Sequence, residues 1–411
     1  MTEKDLLKKI DTYKQDVIDL QTNMIACPAV SPSQGGKGEG AKAAYLMGVL
    51  KKMKFDEIRT INVKDPQAEG GVRPNIIATY YGQDRSKTLW VMAHMDVVPA
   101  GDLSAWKTDP FKAVVKGDKI YGRGAEDNHQ GIVCGILAVK AFMDCGIRPP
   151  CNYSLLLNAD EEIGSEFGIL EILKKYPKTF GKNDVFIVPD GGVADGTMIE
   201  VAEKTVMWFE FTVHGKATHG STPKTGINAQ HAAAYLVIDL IEQLHKKFNK
   251  KNALFAPESA STFAVTKHNA NVPNVNTIPG LDVFCMDCRI LPCYTRKEVL
   301  AEVTKIVKKI EKKCKVKVDI KILHQEASKP TDKNAPLVKL MLDSVHKVYK
   351  NSPKVVGVGG GTVAAALRNQ GYPAVVYAKL DETMHQPNEY VSIKNTLGDS
   401  KIFALIAYQF K

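Results

Sequence analysis

Two periodicities alternate along the first 200 residues. Apolar residues recur every three or four positions over roughly 3–24, 39–54, 128–144 and 165–175, the spacing of amphipathic helices. Between them lie short unbroken apolar runs, NIIATYY, KTLWVMAHMD, NYSLLLNAD and DVFIVPD. A strand that is apolar on both sides needs cover on both faces. The alternation therefore predicts an α/β fold with a mostly parallel sheet sandwiched by helices. AVVKGDKIYGRG adds a hairpin turning at Gly117-Asp118.

Near residue 205 the pattern changes. VMWFEFTVHG reads as a strand and NAQHAAAYLVIDLIEQLHKKF as a helix. TFAVTKH and LDVFCMDCRIL then read as strands, 296–314 as a helix, and VKVDIKILH as a strand. A β-α-β-β-α-β order describes a ferredoxin-like α+β unit. The α/β pattern then resumes with PKVVGVGGG, a helix over 362–370, PAVVYAKL and a last helix ending near Lys411. The expected organisation is a discontinuous domain, 1–203 and 324–411, carrying an inserted domain at 204–323.

Composition narrows the class without naming the chemistry. A hydrophobic content of 44% and a charged content of 24% are those of a soluble globular protein. No apolar run approaches the 18 residues of a membrane span, and no membrane partner is expected. The opening MTEKDLLKKIDTYKQDVIDL interleaves acids and bases, as a folded helix does and a signal peptide does not. The eight cysteines are scattered, which suits a reducing cytoplasm. Cys285 and Cys288 form a CxxC, but within an alternating strand they point to opposite faces and cannot share an ion. The net charge of +10 concentrates in residues 204–323. The lysines of RKEVLAEVTKIVKKIEKKC lack interleaved aromatics and lie opposite an apolar stripe of Val299, Val303, Ile306 and Ile310. That reads as a solvated helix face, and no nucleic-acid partner is expected.

The chemistry gathers at strand ends. NADEEIGSE places Asp160, Glu161 and Glu162 directly after an apolar strand. Adjacent carboxylates repel, so a cation or water must stabilise them there. AHMDVVP puts His94 and Asp96 on one strand face, the arrangement of a metal-binding imidazole oriented by a carboxylate. GRGAEDNHQG puts Asp127 just before a helix, where its position alone suggests an N-cap. IVPDGG supplies Asp190 and DETMHQPNEY supplies His385. Two histidines and several carboxylates exceed the needs of one zinc. They suit two divalent ions sharing a carboxylate about 3.5–4 Å apart.

Together, His94-Met95-Asp96-Val97-Val98-Pro99, Gly122-Arg123-Gly124 with Asp127, Asp160-Glu161-Glu162, Pro189-Asp190 and His385 resemble the co-catalytic zinc amidohydrolases and exopeptidases. That group includes carboxypeptidase G, succinyl-diaminopimelate desuccinylase, acetylornithine deacetylase, aminoacylase and several dipeptidases. The likeness spans essentially the whole chain. It implies a zinc-exopeptidase fold whose inserted 204–323 domain serves as lid and dimerisation domain. It also implies hydrolysis of the amide bond of a small peptide or N-acyl amino acid by a two-metal-activated water.

By this resemblance the metal ligands are His94, Asp127, Glu162, Asp190 and His385, with Asp127 bridging. Glu161 is the general base, and Asp96 supports His94. The ions are most readily zinc, with cobalt or manganese as alternatives. His219 in the lid donates to the oxyanion, often across a homodimer interface. Asn276, Arg289, Gly361 and Thr362 hold substrate, and the Asp127–Asn128 peptide is cis. Two departures bear on specificity. Val363-Ala364 stands where part of the group has Ser-Asp after the GGT, which removes that aspartate's contact. Asp190, where the deacylases tend to carry Glu, resembles the peptidases and tilts the expectation towards peptides. The alternative is a biosynthetic deacylase of the desuccinylase or acetylornithine type. A catalytically inactive binding relative is a different class, and the filled ligand and base positions argue against it.

Overall fold

The computed structural model describes residues 2–411. The first helical stretch is two helices, α1 (Glu3–Ile10) and α2 (Lys14–Ile25), where the periodicity suggested one. The break has a local cause. The Thr12 hydroxyl donates to the Lys9 carbonyl at 2.7 Å, and buried Tyr13 donates to Asp144 Oδ2 at 2.8 Å. Two further helices matter below, α3 (Gly40–Met53) and α4 (Gln130–Asp144).

Two compact units divide the chain. The larger comprises residues up to Val201, Thr331–Val355 and Thr362–Lys411. The sheet runs from edge to edge through Glu57–Lys64, Val72–Tyr80, Cys151–Asn158, Asp84–His94, Val185–Gly192, Ala374–Ala378, Met198–Glu203 and Lys354–Val358. The four adjacent strands from Cys151–Asn158 to Ala374–Ala378 are mutually parallel. Their neighbours on both sides pair antiparallel. Glu57–Lys64 and Met198–Glu203 are strands that the apolar runs did not reveal. The former is exposed at alternate positions and reads as polar. Helices cover the central strands, and α4 is buried at almost every position, as an unbroken apolar sequence requires. Trp90 stacks on Phe186 with centroids 6.0 Å apart, and Phe180 meets both rings edge-on.

The smaller unit, Ala202–Pro330 with Val356–Gly361, contains a four-stranded antiparallel sheet. Its order is Thr262–His268, Leu281–Ile290, Thr205–His214, Lys317–Glu326. The helices Ala229–Lys247 and Arg296–Cys314 pack on it around Phe209, Phe211, Leu236, Phe284, Val303 and Ile306. Cys288 belongs to that core, while Cys285 lies half-buried on the other side of its alternating strand. Among the described residues, no helix is long and apolar enough to cross a membrane.

Candidate metal centre

The parallel strands deliver the acidic and imidazole side chains to one edge of the larger unit. Asp84–His94 ends on His94, Cys151–Asn158 runs into Asp160–Glu162, and Val185–Gly192 carries Asp190. Asp127 sits in the turn before α4, and His385 in the loop after Ala374–Ala378. The carboxyl ends of parallel strands are where open α/β sheets build their sites.

Asp127 is the centre of this cluster. One carboxylate oxygen lies 2.9 Å from His94 Nε2 and the other 3.1 Å from His385 Nε2. His385 Nε2 is also 3.1 Å from Glu162 Oε2, and His94 Nε2 is 3.3 Å from Asp190 Oδ1. Glu161 Oε2 stands further off, 4.0 Å from His94 Nε2. Asp127 does not cap α4, which begins at Gln130 without a side-chain cap. Its peptide bond to Asn128 is cis.

Electrostatics follow from crowding acids in a buried place. Burial pushes the carboxyls of Glu161, Glu162 and Asp190 above their usual range, and neighbouring carboxylates push the same way. Burial alone would lower His94, but Asp190 and hydrogen bonds to Asp127, Asp190 and Asp96 outweigh it and hold the imidazole well above its ordinary value. Hydrogen bonds to Asp127 and Glu162 raise His385 to about 10. Burial opposes ionisation of Asp127 as well. Its bonds to His385 and His94 nevertheless keep it charged. The cluster thus favours positive charge at its centre.

The donor set fits divalent cations. Ligand-type atoms of His94, Glu161 and Asp190, and of His94, Asp127 and Glu162, lie within 4.8 Å of one another in each trio. Glu162 Oε1 is buried without a hydrogen-bond partner, an oxygen that a cation would satisfy. Imidazole nitrogens with carboxylate oxygens suit zinc, cobalt or manganese.

Several residues that hold the cluster do not stand out in the sequence. Asn128 Nδ2 donates to Asp190 Oδ1 at 2.6 Å and to the Pro189 carbonyl at 2.8 Å. A Cβ on Gly131 would stand 2.2 Å from Asn128 Oδ1, so this close approach requires glycine. Buried Glu389 accepts the backbone N–H groups of Gly124, Glu126 and Asp127 and pairs with Arg123 at 2.7 Å. Glu126 holds the loop before His385. The only sequence signal was an acid adjacent to each ligand motif, in GRGAEDNHQ and HQPNEY. Asp96 does more than the expected support of His94. Its carboxylate is 3.5 Å from Nδ1, while its backbone oxygen is nearer at 3.0 Å. Both carboxylate oxygens accept backbone N–H groups, from Glu161 and Glu162, each at 3.0 Å. Asp160 pairs with buried Arg73 at 3.2 Å.

Of the remaining expected residues, His219, Asn276, Arg289 and Gly361 lie in the smaller unit. His219 pairs across a short ladder with Thr277, next to Asn276, and Gly220 N donates to the Asn276 carbonyl at 2.6 Å. The backbone N–H of Ser221 donates to His219 Nδ1, which leaves the ring proton on exposed Nε2. Arg289 grips Asp287 through Nε at 2.8 Å and Nη2 at 3.0 Å, and its Nη1 donates to the Gly359 carbonyl at 2.8 Å. Gly361 packs beside Glu326, and Thr362 in the larger unit accepts from Ala364 N at 3.1 Å.

Such a carboxylate–imidazole cluster, buried at His94 and open at His385, suits a metal centre at the end of a parallel sheet. A sequence model of Peptidase family M20/M25/M40 matches residues 90–409, and the chain belongs to that family. It is 39% identical over 408 residues to an uncharacterized metallohydrolase of Methanocaldococcus jannaschii, covering 95% of this chain and 98% of the relative. It is 28% identical to a succinyl-diaminopimelate desuccinylase of Orientia tsutsugamushi, covering 93% of each. Among solved structures, a tripeptidase of Staphylococcus aureus superposes with a TM-score of 0.74 at 18% identity, covering 96% of this chain and 98% of that one.

Proposed function

We propose that this metallohydrolase cleaves the amide bond of a small peptide, with Glu161 as general base. The observation that carries the reading is the pair of short contacts from the two Asp127 oxygens to His94 and His385, with Glu161 set back from that core. His94 and Asp190 would hold one divalent ion, His385 and Glu162 a second, and Asp127 both; zinc suits the donors best. Bound there, the ions would supply Lewis acidity and ease the deprotonation of water near neutral pH.

The chain's own groups supply the rest. Glu161 takes a proton from the attacking water and passes it to the leaving amine nitrogen as the C–N bond breaks. Its raised pKa, caused first by burial, suits both accepting and returning that proton. Asp96 fixes the Glu161 and Glu162 backbone. His219 Nε2–H is the donor for the developing oxyanion, and Asn276, Arg289, Gly361 and Thr362 are the substrate-holding candidates. Residues 204–323 act as lid and homodimerisation domain, in a cytoplasmic enzyme without nucleic-acid or membrane partners.

The second reading, a deacylase of N-acyl amino acids, is supported by the likeness to the Orientia desuccinylase. A hydrolysis screen decides between them. Di- and tripeptides are set against N-acetyl and N-succinyl amino acids, each with Zn²⁺, Co²⁺ or Mn²⁺. Peptide turnover well above acyl turnover is expected, and the reverse would replace the first reading with the second.

A further inference from the structure

Glu39 and Lys42 lie three residues apart at the start of α3, and both are buried. Lys42 Nζ donates to the carbonyl of Met95, at 2.8 Å, between His94 and Asp96 on the chain. The same ammonium lies 2.6 Å from His129 Nε2. An ammonium only donates, so this nitrogen is the acceptor. His129 closes the turn that bears Asp127, and its backbone N–H returns to the Gly124 carbonyl at 3.0 Å. One side chain therefore ties the end of the His94 strand to the Asp127 turn.

Glu39 reaches a different loop. Its Oε1 accepts the backbone N–H of Asp160 at 3.2 Å. Arg73 grips the same carboxylate with two prongs, Nε to Oε2 at 2.6 Å and Nη2 to Oε1 at 2.5 Å. Arg73 Nη2 also meets Asp160 Oδ1 at 3.2 Å, and Nη1 meets Asp65 Oδ2 at 3.4 Å. Asp160 has a φ of 69°, a left-handed conformation uncommon outside glycine, though aspartate is among the residues that tolerate it. It immediately precedes Glu161 and Glu162. Arg73 is 1% exposed and Glu39 0%, so these charges are desolvated and must be matched within the protein. Glu39, Lys42 and Arg73 all precede the residues 90–409 that the family match covers.

We infer that the first turn of α3 is a positioning clamp for the metal centre. Lys42 sets the His94 strand against the Asp127 turn, and Glu39 with Arg73 sets the turn that presents Glu161 and Glu162. These are positioning residues: they act through the loops they hold. The inference rests on the roles proposed above for those loops.

The test measures Zn²⁺ affinity of the stripped protein, Tm, and kcat and KM on the best substrate of the screen. Lys42→Met fills the same space without a donor. It is expected to weaken Zn²⁺ binding by roughly 10–100-fold, the usual effect of losing a group that orients ligands. It should also lower kcat while KM stays within about twofold. Glu39→Gln should lower kcat more than it lowers Zn²⁺ affinity. Arg73→Lys, which keeps the charge but loses the two-pronged grip, should fall between Arg73→Met and the wild type. A purely architectural role predicts a lower Tm with wild-type Zn²⁺ affinity and kcat in the folded fraction, and that result overturns the clamp. If Lys42→Met does not fold, Glu39→Gln and Arg73→Lys decide by the same criteria. Glu161→Gln runs alongside. Should it turn over normally, the base assignment fails, while the Zn²⁺ affinities still decide the clamp.

Discussion

Glu126 grips Thr383 twice, accepting its backbone N–H at 2.5 Å and its hydroxyl at 2.9 Å on one carboxylate oxygen. The other oxygen takes the N–H of Asp381 at 2.5 Å. Glu126 precedes Asp127, and Thr383 lies two residues before His385, so this pair locks in register the two loops that carry these proposed ligands. Glu126→Ala should free the His385 loop and weaken binding of one ion of two by roughly 10–100-fold. Thr383→Val keeps the backbone bond and should have a smaller effect. Metal content after dialysis against a weak chelator reads both. Two ions retained by Glu126→Ala would refute the coupling.

The two adjacent glutamates should separate cleanly. Glu161→Gln keeps shape but cannot accept a proton, so it should bind two ions normally while kcat falls by ~10²–10⁴. Glu162→Gln removes an anionic donor 3.1 Å from His385 and should weaken or empty one site. Metal analysis and kcat on both variants check this. Loss of an ion from Glu161→Gln, or two ions with normal turnover in Glu162→Gln, would reverse the assignment.

His219→Ala should lower kcat by ~10²–10³, the usual worth of one oxyanion donor, with unchanged metal content. Light scattering of the same variant should report the same particle mass as the wild type. A variant with full kcat would remove His219 from the reaction.

Metal addition should stabilise the fold as well as activate it. Zn²⁺ at 100 times its Kd contributes about 2.7 kcal/mol if it binds only the folded chain. Calorimetry should therefore show Tm rising with Zn²⁺ in the wild type and hardly moving in Asp127→Ala. Equal Tm rises in both would place the bound zinc elsewhere.

Asp399 provides a pH signature away from the metal centre. It is fully buried, and burial pushes its carboxyl up to about 7, against the bonds it accepts from Lys379 N, Tyr349 and Gln130. The folded chain therefore holds this proton more tightly than the unfolded chain. Its contribution to stability is complete below about pH 4, where both states are protonated. As pH rises from there towards 7 that contribution is lost, at roughly 1.4 kcal/mol per pH step. Asp399→Asn removes the dependence. The Tm of the wild type relative to Asp399→Asn should fall between pH 4 and 7, and a constant difference would contradict the assignment.

What the sequence determined by itself was the alternation of the central strands with their helices, and which acids and histidines stand at the strand ends. Unbroken apolar runs such as NYSLLLNAD must be covered on both faces, and consecutive acids at the end of such a run need a cation or water to stabilise them. The bipartite first helix and the polar-looking strand Glu57–Lys64 were not legible, because Tyr13's partner Asp144 and the strand's neighbour Val72–Tyr80 are set by tertiary contacts. The same holds for the framework of the site. Glu126, Glu389, Glu39, Lys42 and Arg73 are ordinary charged residues in the chain, and a lone charge reads as solvent-facing. Only folding places Glu389 beneath the Asp127 turn, 262 residues away, or Glu39 against Asp160, 121 residues away. A buried charge is defined by the partner that neutralises it, and the partners here are brought together by the packing of strands and helices distant in sequence.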